Sequence, residues 1–208
     1  NAWQHSWFVP QAVDDLIAIH GGNEIFTSRL EKLFTESSEI TGDNVSADIT
    51  GLIGQYAHGN EPSHHIAYMF NHANQPWRTQ YWARHIMDTQ YNTTPNGLSG
   101  NEDCGQMSAW YVLSSIGLYP MNPASGEYEI GSPIFEKSTI KLPENKTFMI
   151  EAEYVSHTNF YIQSATLNGK PFTKTTLSHQ DILKGGTLHF VMGNKPNKNW
   201  GIKTKRNN

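Results

Sequence analysis

The apolar residues of this chain repeat with a helical period up to about Pro120 and with a period of two beyond Gly126. A single switch of this kind places helices first and a sheet after them, an α+β order. Val13, Leu16 and Ile17 space a helix over residues 10–20, with His20 completing the pattern and Gly21 and Gly22 as the stop. Asn23 is placed to cap a second helix that turns Phe26, Leu30, Leu33 and Phe34 to one face. Residues 41–53 are weakly patterned and read as a loop with room for a short helix. Ile66, Met69 and Phe70 space a helix over 63–73, and Pro76 opens another that runs to about Tyr91. Met107, Trp110, Tyr111 and Leu113 mark a last one over 104–116, closed by Gly117 and Pro120. After the switch, 139–142, 148–153, 160–166 and 187–192 read as strands, and Asn168-Gly169 as a hairpin turn. Residues 1–120 are therefore expected to be helical and 121–208 to form a small antiparallel sheet or sandwich packed on them, with 203–208 a frayed end.

Composition narrows the partners. The formal net charge of the 208 residues is -4 with no basic run, which argues against nucleic acid or an anionic membrane. No apolar run approaches membrane-spanning length. Aromatic residues make up 12% of the chain and crowd into the region before Pro120, which suits either a core or the stacking of sugar rings. Cys104 is the single cysteine, so no internal disulfide forms, and acidic neighbours with no base at hand argue against a catalytic thiol. The opening NAWQHSWF lacks the basic and then apolar pattern of a signal peptide, and Asn1 is expected to follow a cut or further residues of a longer protein.

Two glycine-punctuated loops carry the chemistry. GLSGNEDCGQMSAWY, Gly97 to Tyr111, presents Asn101, Glu102 and Asp103 in a turn just ahead of a helix, where Asp103 either takes a proton from water or caps the helix. HGNEPSHH, His58 to His65, adds Asn60 and Glu61 beside three histidines. Oxygen-rich loops suit a hard cation such as calcium, although the spacing is not that of an EF-hand, so two segments must share the ion. Zinc is the rival, but a helical metalloprotease motif cannot run through Gly59 and Pro62. His64 and His65 leave the chain on different sides, so at least one is structural. No P-loop is present. Trp3 and Gln4, ahead of the first helix, are the aromatic and amide pair placed to wall a sugar site.

These stretches, with NAWQHSWFVP and the segment from Gly97 to Pro133, resemble the C-terminal region of family 92 glycoside hydrolases, the calcium-dependent bacterial α-mannosidases. The resemblance covers most of residues 1–142. It implies the last helical hairpins of an (α/α)6 toroid, a terminal β region, and an N-terminal β-sandwich outside this chain. It also implies exo-hydrolysis of mannose-containing glycans, commonly α-1,2-linked, with inversion. Asp103 then matches the general base, and Asn101 a neighbouring position that is often acidic in relatives. Calcium would be held near Asn60, Glu61 and Asp103, with His58, Trp3, Gln4 and Glu102 toward the substrate. The general acid would fall just before Asn1, so the chain alone is expected to be inactive or nearly so. A periplasmic or extracellular location comes from the family alone. The alternative is a glycan-binding module that uses the same loops without hydrolysis, and a domain with no ligand is a third reading.

Overall fold

The structure, a computed structural model, describes residues 2–41 and 49–203, so part of the expected 41–53 loop and the expected frayed end from 204 onward lie outside it. The first half holds helices α1 Ala2–His5, α2 Val13–Ile19, α3 Asn23–Thr35, α4 Pro76–Gln90 and α5 Gln106–Ser115, together with a short hairpin of β1 Leu52–Ile53 and β2 Tyr56–Ala57. Gly22, at φ 102°, takes the cap of α3 that the sequence offered to Asn23. The 63–73 segment is not one α-helix but two 3-10 turns, Glu61–Ser63 and Ile66–Asn71. Every residue from Ile66 to Asn71 is buried, so the segment has no solvent face of the kind an amphipathic helix keeps.

The second half is strand-rich: β3 Leu118–Tyr119, β4 Glu127–Ile130, β5 Lys137–Lys141, β6 Thr147–Glu153, β7 Tyr161–Leu167, β8 Lys170–Pro171, β9 Thr176–Ser178 and β10 Gly186–Gly193, with α6 His179–Leu183 before the last. β5, β6, β10, β7 and β8 form one sheet in that order, and β3, β4 and β9 a smaller one. All pairs in the larger sheet are antiparallel except β6 with β10. That parallel pair departs from the expected antiparallel sheet because β10 enters last and fills the gap between β6 and β7. The turn at Asn168 and Gly169 has φ 51° and 76°, the left-handed pair that a two-residue hairpin needs.

Two cores result. The helices bury Phe26, Leu30, Leu33 and Phe34 with Tyr56, Tyr68, Phe70, Trp82 and Trp110, each large side chain contributing about 1.5–3 kcal/mol. The sheet buries Phe148, Ile150, Leu188 and Phe190 in strict alternation. Polar bonds join the halves: Gln80 Oε1 accepts from the Ile162 N–H at 3.0 Å, and Arg84 donates to the Ser156 carbonyl at 2.8 Å. Among the described residues no helix is long and apolar enough to cross a membrane.

Candidate functional site

The loops at 58–65 and 97–105 meet backbone to backbone. A Cβ built on Gly100 would lie 2.9 Å from the Gly59 carbonyl oxygen, and one built on Gly59 would collide with Thr50 Oγ1. No side chain fits at either position, and Gly100, at φ 69°, needs glycine for its backbone angle as well. Just before this contact, the Asn92 N–H donates to the Gly97 carbonyl at 2.7 Å, and Ser99 Oγ donates to Gln90 Oε1 at 2.7 Å. The second loop is thereby pinned to the end of α4.

Beyond Gly100 the chain makes an unusual turn into α5. Asp103, Cys104 and Gly105 have φ of 49°, 57° and 86° in succession, and the two non-glycine residues pay roughly 1–2 kcal/mol each for that conformation. Gly105 holds the cap position, so Asp103 does not cap the helix. Its exposed carboxyl instead comes within hydrogen-bonding reach of Glu61. Glu61 Oε1 is sealed from solvent and has no donor among the described residues. Two carboxylates are both acceptors, so this contact becomes attractive only when a proton or a cation lies between them. The Glu61 backbone amide, the largest influence, lowers its carboxyl pKa, but burial and the Asp103 carboxylate together outweigh it, and the net direction is up.

Glu102, which the sequence places toward the substrate, is engaged locally in the structure. Its oxygens accept from the Ser108 N–H at 2.9 Å and the Ser108 hydroxyl at 2.7 Å, satisfying a free amide in the first turn of α5. Those bonds hold its pKa down. Asn101 and Asn60 are exposed.

His58, also expected to touch substrate, lies fully buried below the loops at 0% exposure. The Tyr91 hydroxyl donates to the Met107 carbonyl at 3.0 Å, so it accepts from His58 Nε2 at 2.7 Å. His58 Nδ1 is then bare and accepts from the Tyr56 hydroxyl at 2.8 Å. Burial, reinforced by His64, holds the ring pKa well below its usual value. His64 is buried too, donating from Nε2 to the His58 carbonyl at 2.9 Å and accepting at Nδ1 from Gln106 at 3.2 Å. Burial lowers its pKa to about 4. His65 donates to the Trp7 carbonyl at 2.8 Å, so both members of the His64-His65 pair are structural. Among the described residues no three His, Cys, Asp or Glu side chains gather to hold a metal. A cation here would take Glu61 and Asp103 and complete its shell with amide, carbonyl or water oxygens.

Trp3 is part of α1, not ahead of the first helix, and lines a cleft of about 580 Å³ with Glu36, Ser37, Glu39 and Gln55, none of which belongs to either loop. Gln4 is half-buried beside it. Cys104 is exposed and in no disulfide. Sequence reasoning missed Tyr91 and Gln106, whose partners lie 33 and 42 residues away. Only the fold brings such pairs together.

A family model described as the glycosyl hydrolase family 92 catalytic domain matches residues 1–194. An uncharacterized secreted glycosidase of Arthroderma benhamiae is 33% identical over 202 residues, 96% of this chain and 24% of the relative. A family GH92 α-mannosidase of Bacteroides thetaiotaomicron, solved in complex with mannoimidazole, superposes with a TM-score of 0.89 and 44% identity, covering 97% of this chain and 26% of its own. A family GH92 inverting mannosidase of the same bacterium gives a TM-score of 0.84 and 37% identity, over 98% of this chain and 28% of its own. The chain spans about a quarter of the length of the relatives it matches.

Proposed function

This chain belongs to glycosyl hydrolase family 92, and on that footing we propose that it supplies the base side of the active site of an exo-acting, inverting α-mannosidase. The observation that carries the reading is the meeting of Glu61 and Asp103 from two glycine-hinged loops. Asp103, exposed at the strained turn, takes the proton from the attacking water. Asn101 lies beside it and hydrogen-bonds the same water as an amide. Glu61 sets a second carboxyl beside Asp103, and a cation between the two would compensate their like charges.

Calcium suits that need. Asn60, Glu61 and Asp103 would hold it, and when bound it supplies a Lewis acid for the hydroxyls of mannose and favours a flattened ring. Inverting hydrolysis needs its two carboxyl groups roughly 6.5–9.5 Å apart. Glu61 is within hydrogen-bonding reach of Asp103 and therefore too close to be the acid. We assign the acid to the part of the longer protein that this chain does not span, and with it the remaining pocket wall. On this reading the 208 residues alone turn over little or no mannoside. The helices before Pro120 would be the last part of a toroid, the substrate a mannose-terminated glycan, commonly α-1,2-linked, and the secreted relative supports a place outside the cytoplasm.

The test is Asp103→Asn in the full-length protein. Loss of a general base should lower kcat on an α-mannoside about 10²- to 10⁴-fold, with mannoside binding retained in calorimetry. Parental turnover in the variant would overturn the assignment, and a wild-type protein that binds mannosides without cleaving them would point to a binding module.

A further inference from the structure

We propose that Gln106 is a positioning residue: its side-chain bridge to His64 sets the separation between Asp103 and Glu61. This rests on the reading of that pair as the base side of the site. Gln106 follows Asp103 by three residues and is the first residue of α5. His64 follows Glu61 by three residues and closes the 3-10 turn that Glu61 opens. The bridge between them, 3.2 Å from Gln106 Nε2 to His64 Nδ1, therefore links the two carboxylate turns from the inside.

The polarity of the bridge is fixed. His64 Nε2 faces the His58 carbonyl at 2.9 Å, and a neutral imidazole that donates there has only Nδ1 left to accept. The Gln106 amide must present its NH2, and the same side chain also hydrogen-bonds Tyr119 in the floor below. His64 is 1% exposed, and its own carbonyl accepts from Trp110 Nε1 at 3.0 Å, which fixes the backbone that carries the ring. On the other side, Asp103, Cys104 and Gly105 all have positive φ, and the backbone bonds across this turn are Gln106 N–H to the Asp103 carbonyl at 3.1 Å and Met107 N–H to the Glu102 carbonyl at 3.3 Å. Beside the approach of Asp103 to Glu61, the Gln106 side chain gives this turn a neutral hydrogen bond to the opposite loop.

The experiment uses the full-length protein with Gln106→Met, which keeps the length and removes the donor, assayed well below its melting midpoint. The expected result is a fall in kcat of about 10- to 100-fold, the usual effect of losing a supporting hydrogen bond at a site, with KM unchanged. His64→Asn places an amide oxygen near the Nδ1 position and should retain more turnover than His64→Gln, whose amide lies farther out, near the Nε2 position. Adding Gln106→Met to His64→Gln should cause no further loss. A purely structural role would lower the melting midpoint and leave kcat of the folded protein alone. Parental kcat in Gln106→Met, or equal losses in the two His64 variants, overturns the inference. Asp103→Asn run alongside separates the two claims: if it is inactive and Gln106→Met is not, the bridge alone fails, and if it keeps full turnover both fail.

Discussion

Gly100 and Gly126 share a φ of 69°, yet only Gly100 has neighbours where a Cβ would be. Alanine at either position meets the same left-handed penalty of about 1–2 kcal/mol. At Gly100 it must also push Gly59 and Thr50 aside, so the loops carrying Asp103 and Glu61 move apart. Gly100→Ala should therefore depress kcat strongly while Gly126→Ala loses only stability, and kinetics and melting of the two variants check this. Equal effects would mean that the close approach has no functional weight. Single residues also show the limit of reading a sequence. His58 sits in a polar loop and looks like a ligand contact, but its partners are two tyrosines, one of them 33 residues on, and nothing local encodes that burial. Glu102 and Asp103 are neighbours with the same chemistry, and only the left-handed turn sends one to Ser108 and the other to Glu61.

Elements were legible where a pattern has one solvent face. α3, α4 and β10 alternate buried and exposed positions and stand out in the sequence, as does the Asn168-Gly169 turn. The 3-10 turns at 61–71 and the two-residue strands β1, β2 and β3 were not, because wholly buried or very short segments carry no period. His72, next to one of those turns, holds three elements together. Its Nδ1 meets Asp14 of α2 at 3.0 Å, and its Nε2 meets buried Glu129 of β4 at 3.1 Å, beside Asp15 and Glu127 in the same cleft. Burial, the largest influence, lowers the His72 pKa, but Glu129 and Asp14 together outweigh it and the net direction is up. A folded pKa above the unfolded one means that this tie contributes fully below about pH 6.5, the unfolded value. It is lost as pH rises through the folded value. Unfolding stability should fall across that range, and His72→Gln should flatten the profile; an unchanged profile would remove the charge from the account.

For the whole molecule, the helical core and the sheet core meet through Gln80, Arg84, Asn71 and His72, while both candidate loops lie on the helical half. A cation held by Glu61 and Asp103 should stabilise the full-length protein by linkage, about 2.7 kcal/mol at 100 times its Kd. Calcium is expected to raise the melting midpoint of the parent and not of Glu61→Gln, as read by calorimetry with and without chelator. A shift of equal size in both would place the ion elsewhere. The central claim is that the two carboxylates act as one unit, and a double-mutant cycle on mannoside turnover tests it most directly. Glu61→Gln and Asp103→Asn should each lower kcat steeply and the double variant little further, because removing one member already disables the pair. Losses that simply multiply, or parental turnover in either single variant, would contradict it.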